Sequence, residues 1–198
     1  PSLVSILTQI LDHKLPRDFD YHRMPAPWMQ IRLVAILGLL GINDESVSAL
    51  MYTVLSDTMR RADLGSNAGT AVVFEVIKTA TKIVPDHALL QHASMVIGKF
   101  LAPEASHNFK YLGVTCLGKL VCVDPSYAND HQLRVVVCLD DDDETLRRQT
   151  LELLFKMTNH ANVTTVVERM LAQMNVASEP TMKKSLGDRI FQLAEQFA

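Results

Sequence analysis

The sequence predicts an all-α fold, a superhelix of stacked helical pairs of the HEAT or armadillo kind. Three observations carry that prediction. Apolar residues recur at helical spacing in one segment after another, with loops of only a few residues between them. No two segments alternate with the two-residue period of paired strands; Arg134 to Cys138 comes nearest and stands alone. A motif also repeats. Leu37-Gly38-Leu39-Leu40, Ile97-Gly98-Lys99-Phe100 and Leu117-Gly118-Lys119-Leu120 share an apolar-Gly-x-apolar core, and successive helix pairs fall roughly 40 residues apart. Glycine in a helix interior costs about 1 kcal/mol against alanine, so its return at matched places predicts close approach of neighbouring helices at Gly38 and Gly118.

The stretch from Trp28 to Gly41 is the centre of this pattern. Pro25 and Pro27 set its entry, because proline suits the first turn of a helix and not its interior, and Gly41 with Asn43 supply the stop. Its only charge between Ile31 and Ile42 is Arg32, so neighbours are expected to cover it on several sides. It is shorter than the roughly 20 apolar residues that span a bilayer.

Before it, Leu3, Ile6, Leu7, Ile10 and Leu11 form a helical stripe over residues 3–12, and the proline-punctuated stretch 13–27 is the longest loop. About nine helices follow from Trp28 onward. The second runs to about Asp63 with Val47, Leu50, Met51, Val54, Leu55 and Met59 inward, and Arg60 and Arg61 in its last turn oppose the dipole favourably. The next cover roughly 68–84, 87–101, with Met95 inward, and 108–123. Beyond them lie 130–139, with Leu133, Val136 and Val137 inward, then 144–158, 163–174 and 180–198. The chain reads as one solenoid segment, 1–198, without an internal domain boundary. Pro1 at its start and Phe197-Ala198 within a helical pattern at its finish are expected of a fragment excised from a longer chain. The apolar faces expected to lie uncovered at its ends are those of Leu3, Ile6, Leu7 and Ile10, and of Ile190, Phe191 and Leu193.

Composition is globular, 48% hydrophobic and 21% charged, and a net charge of −3 offers no general attraction to nucleic acid or anionic lipid. No signal peptide or membrane span is visible. Of the three cysteines, Cys116 and Cys122 lie in apolar helical text and are expected in a reduced core, as in a cytosolic protein, where the sequon at Asn162 would stay unmodified; Cys138 completes no C-x-x-C pair.

Catalytic signatures are missing: neither G-x-x-x-x-G-K-[ST] nor G-x-G-x-x-G occurs. His87 and His92, five apart, split across a helix and do not converge on a metal. Asp140 to Asp143 with Glu144 reads as a loop and helix N-cap, where carboxylates favour the positive end of the helix; an EF-hand glycine and distal glutamate are absent. No catalytic, metal or cofactor residue is assigned. The partner-surface candidates are three basic pairs, Arg60 and Arg61, Arg147 and Arg148, Lys183 and Lys184. They could meet a phosphoinositide, an acidic protein surface or a GTPase, against the plainer alternative of a solvated face beside Asp57, Glu144 and Glu152.

Pro25 to Gly41 resembles the trunk of the large adaptins of clathrin-adaptor-type coat complexes. Further matches follow in register at 48–55, 59–62, 73–75, 97–100, 108–113 and 148–154, so the resemblance covers nearly the whole chain. Leu50-Met51-Tyr52 and Arg60-Arg61-Ala62 tilt it toward the epsilon branch of the fourth adaptor complex, with gamma and alpha adaptins next. The resemblance implies a non-catalytic scaffold segment that needs no cofactor. Its implied partners are a small sigma chain, a beta-type adaptin, a medium mu chain and an Arf-family GTPase, with no nucleic acid. The implied place is cytoplasmic and peripheral on trans-Golgi network or endosomal membranes, in cargo sorting. A coatomer subunit or nuclear-transport factor would share the periodicity without these matches.

Overall fold

A computed structural model describes residues 1–62 and 64–197, and within them eleven α-helices follow one another with no strand. The expected helix ends at Asp63 and Ala198 lie outside the described residues. Contacts divide the chain into two compact units, Pro1–Val96 and Ile97–Ala198.

The first unit holds α1 (Ser2–Leu11), α2 (Pro27–Leu40), α3 (Glu45–Ala49), α4 (Tyr52–Arg61), α5 (Asn67–Ala80) and the greater part of α6 (His87–Phe100). Its most extensive contact is α2 on α5. Pro27 occupies the first turn of α2, and Val34, Leu37 and Gly38 face inward. Thr79 of α5, also buried, donates its hydroxyl to the Val34 carbonyl at 3.1 Å. The close approach expected at Gly38 is present, since a Cβ there would lie 2.9 Å from Thr79 Oγ1.

The opposite face of α2 departs from expectation. Trp28, Met29, Ile36, Leu39 and Leu40 are exposed, so this helix is covered on one broad side and open on the other. The predicted second helix is two. Asp44 caps α3 by accepting from the Val47 N–H at 2.9 Å. The buried Ser48 hydroxyl then donates to the Gly41 carbonyl at 2.9 Å and accepts the Val84 N–H at 3.2 Å. These bonds hold the short helix to the end of α2, and the chain restarts at Tyr52. Met51 turns inward and Leu50, expected inward, is exposed. Met95 of α6 is likewise exposed.

The second unit continues with α7 (His107–Val123), α8 (Tyr127–Val137), a 3-10 turn at Cys138–Asp140, α9 (Glu144–Met157), α10 (Val163–Val176) and α11 (Pro180–Phe197). Ser106 and Asp143 cap α7 and α9, accepting from Phe109 N–H at 3.4 Å and Leu146 N–H at 2.7 Å. Arg134 to Cys138, the one strand-like stretch, is helical up to the 3-10 turn. In α8 the buried stripe is Tyr127, Ala128, His131 and Val135, which leaves Leu133 and Val137 in solvent, contrary to expectation. The 3-10 turn explains the shift: it ends α8 early and sends Cys138 and Leu139 into the core where a longer helix would have used Val137. Gly118 also corrects its prediction, because a Cβ there would meet only Leu153 Cδ1, at an ordinary 3.7 Å.

Cys116 and Cys138 are buried, whereas Cys122, expected in the core, is exposed. Burial pushes the Cys138 thiol up to about 11. The expected open ends are partly filled: Leu7, Ile10 and Leu193 are fully buried, and only Ile6 and Phe191 of that group are strongly exposed.

Candidate interaction site

The basic pairs are not equivalent, either to one another or within a pair. In the first unit, Arg60 is an exposed residue bonded to Asp57 one turn back, at 2.6 Å. Arg61 points to α1, donating to the Leu11 carbonyl at 2.7 Å and to Asp12 at 3.2 Å. It thereby serves the last turn of α1, whose C-terminal carbonyls have no partner within the helix.

In the second unit, Arg147 donates to the main-chain carbonyls of Asp141 at 2.8 Å and Asp142 at 3.0 Å, and lies 3.7 Å from the Glu179 carboxylate. Arg148 pairs with Glu144 on the exposed side of α9. Lys183 and Lys184 stand exposed on α11. Arg147 is a brace for the 140–143 loop, while Arg148, Lys183 and Lys184 remain on the surface.

Three of the four aspartate carboxylates are engaged locally, whereas Asp142 is exposed and offers Arg147 only its main-chain carbonyl. Asp143 is the cap of α9, and Asp140 bonds Arg169 and Gln173 of α10. Asp141 sits against Lys110 at 3.1 Å and against His107. Burial works to raise its carboxyl, but the Asp143 N–H, Lys110 and His107 together hold it below the ordinary carboxylate value. A cavity of about 270 Å³ beside this loop is lined by these paired groups together with Asp142, Val176 and Met182. Among the described residues no group of three His, Cys, Asp or Glu side chains could hold a metal ion, and no helix is long and apolar enough to cross a membrane.

A second cavity, about 160 Å³, lies in the first unit between the end of α1, the 13–26 loop and the end of α4. His13, His22, Arg23, Gln30 and Arg61 are its polar lining. Sequence reasoning found Arg61 and missed the rest. The available signal was Gln30, the sole uncharged polar side chain in the apolar stretch that starts at Trp28. The other unforeseen surface is the open face of α2, where Arg32 is the one charge among exposed apolar side chains.

Stacked helical pairs capped, braced and left with open apolar and basic surfaces suit a scaffold. Comparison with known proteins decides the family, because the adaptin N-terminal region matches residues 1–198 from end to end. The chain belongs to the adaptin N-terminal region family. This adaptin segment is 44% identical over 197 residues to the AP-4 complex subunit epsilon of Arabidopsis thaliana, covering all of the segment and 21% of that relative. It is 46% identical over 198 residues to AP-4 complex subunit epsilon-1 of Mus musculus, again over all of the segment and 18% of the relative. The AP-1 complex subunit gamma-like 2 of Homo sapiens is 30% identical over 198 residues, all of the segment and 25% of the relative. Identity to the AP-4 epsilon chains, 37–46%, thus exceeds the 25–30% found for AP-1 gamma chains, as the epsilon-leaning resemblance implied. The segment spans about a fifth of the length of these AP-4 relatives.

Proposed function

We propose that residues 1–198 act as one continuous segment of the large-subunit trunk of a vesicle-coat adaptor complex, of the AP-4 epsilon type. The segment is non-catalytic and works by protein–protein contact. Its partners in the assembly are a small sigma chain, a beta-type adaptin and a medium mu chain, with recruitment to the membrane by an Arf-family GTPase. The complex is cytoplasmic and peripheral on trans-Golgi network or endosomal membranes, where it sorts cargo for vesicle transport. The observation that carries this reading is the unbroken adaptin match over the whole chain. The exposed apolar face of α2 supports it, because a contiguous apolar surface marks an interaction site. The basic candidates that remain available for such contacts are Arg60, Arg148, Lys183 and Lys184; Arg61 and Arg147 contribute by bracing the helices.

Affinity purification of the full-length protein under gentle conditions tests the proposal. Sigma-, beta- and mu-type chains in near-equal amounts are the expected companions. Coatomer subunits, nuclear-transport cargo or no stoichiometric companion would overturn it.

A further inference from the structure

The open face of α2 has a counterpart within the first unit. There α1 packs on α4 as α2 packs on α5, so these four helices form two stacked pairs. α2 and α5 are each 14 residues long and begin at Pro27 and at Asn67. Laid start on start, Trp28 corresponds to Ala68, Arg32 to Val72, Ile36 to Val76 and Leu39 to Thr79. Steps of four, four and three residues put each set on one side of its helix. On α5 that side is buried throughout, and its Thr79 meets α2 at Gly38 and at the Val34 carbonyl. On α2 the same side is in solvent, with Trp28 58% and Leu39 65% exposed. The side by which α5 lies on α2 is thus the side that α2 leaves open.

That correspondence selects the occupant. In a stacked array each pair contacts only its neighbours, and α5 follows α2 in the chain, so the helix that covers α2 belongs one pair upstream. Arg32 adds a chemical requirement. It stands where α5 has the fully buried Val72, and among the described residues it makes no hydrogen bond or ion pair. A helix laid over it without a partner would leave an unpaired charge desolvated, which is strongly unfavourable. The covering helix must therefore bring a carboxylate. A second copy of this face brings none, because its side chains are apolar apart from Arg32 itself. The segment spans about a fifth of its AP-4 relatives, so chains of that length hold further helices. We propose that in the full-length protein an upstream helix of the same chain stacks on α2 as α2 stacks on α5, with an Asp or Glu carboxylate against Arg32. The inference rests on the scaffold reading and names what one open face of the scaffold meets.

The photo-crosslinker p-benzoylphenylalanine, placed at Trp28 and in a separate preparation at Leu39 of the full-length protein, reads the contact. Peptide mass spectrometry after irradiation should find, at both sites, a crosslink to a helix N-terminal to residue 1 of the same chain. An equal mixture of isotopically light and heavy protein should give no mixed pairs, which marks the crosslink as intramolecular. Arg32→Glu should speed amide exchange along α2 about tenfold or more, because it sets like charges together in a covered site. Changing the facing acidic residue to Arg in that variant should restore the protection. Crosslinks chiefly to a companion subunit or to a second copy, none above the dark control, or exchange unchanged by Arg32→Glu would each overturn the proposal. Protection that the charge swap fails to restore would remove the carboxylate. Should one crosslinker site disturb folding, the other still gives the reading. If the crosslink goes elsewhere while sigma-, beta- and mu-type chains co-purify, the stacking inference falls and the scaffold reading stands.

Discussion

Gly38 and Gly118 occupy matched places in one repeated motif, the first in α2 and the second in α7, yet they meet different surroundings. A Cβ on Gly38 would come within 2.9 Å of Thr79 Oγ1 and 3.2 Å of its methyl carbon. On Gly118 the nearest atom would be Leu153 Cδ1, the flexible end of a side chain, at 3.7 Å. Thr79 is buried, branched at Cβ and tied through its hydroxyl to Val34, so it has little room to give way. What a repeated residue does is decided by the side chain it faces. The basic pairs teach the same lesson: Arg61 and Arg147 brace main-chain carbonyls, while their neighbours Arg60 and Arg148 make exposed ion pairs.

The sharpest way to break this comparison is Gly38→Leu. An isobutyl group aimed at Thr79 should force α2 and α5 apart and cost about 3 kcal/mol, the upper part of the overpacking range. Urea unfolding would show it as a lower midpoint, and an unchanged midpoint would mean that α2 does not lean on α5 at this glycine.

Asp141→Asn comes next, at about 2 kcal/mol, the scale of a buried hydrogen bond to a charged group. The sign with pH follows from the lowered carboxyl. A depressed folded-state pKa contributes stability that is complete above the unfolded carboxylate range, about 4, and is lost as the pH falls through the folded value. Wild type should therefore exceed Asp141→Asn in melting temperature at pH 7, and the gap should close in acid below about pH 4. A gap that stays constant to pH 2 would remove the charge argument.

Arg61→Ala should cost about 1 kcal/mol, discounted from the charged-bond range for partial exposure, whereas Arg60→Ala should cost at most about 0.5 kcal/mol, as surface pairs do. Thermal melts of the two variants side by side compare brace with surface ion pair; equal losses would erase the distinction. Smallest of all, Lys183→Ala with Lys184→Ala should stay within about 0.5 kcal/mol of wild type. A large loss would mean that α11 uses these ammonium groups internally.

Much of this fold was legible in the chain. Pro27 at the start of α2 and the helical spacing of apolar residues over 68–84, 108–123 and 144–158 are local signals, and α2, α5, α7 and α9 lie where those signals put them. Asp140 to Asp143 was also readable as a loop and cap. Illegible parts depended on contacts distant in sequence. Leu50 and Leu133 fit a helical stripe, but Ser48's bonds to Gly41 and Val84, and the inward turn at Cys138 and Leu139, rotate the chain away from it. Cys122 was legible and misread: helical spacing puts Cys116 on the buried stripe of Val114, Leu117, Leu120 and Val121 and puts Cys122 on the far side of α7, in solvent. The α1 cavity was hidden because its polar lining comes from residues as far apart as His13 and Arg61.

The central claim, that the facing residue and not the motif sets each position's role, is tested most directly by one alanine at each glycine in the same 198-residue chain. Denaturant midpoints of Gly38→Ala and Gly118→Ala would be read side by side. At Gly118 the methyl group has ordinary space, so the helix-propensity gain of about 1 kcal/mol should appear as added stability. At Gly38 Thr79 must rotate and its buried hydroxyl loses Val34, a loss of about 1 to 3 kcal/mol that should outweigh the same gain. Opposite signs are the predicted result. A shift of the same sign and size at both positions would contradict the account.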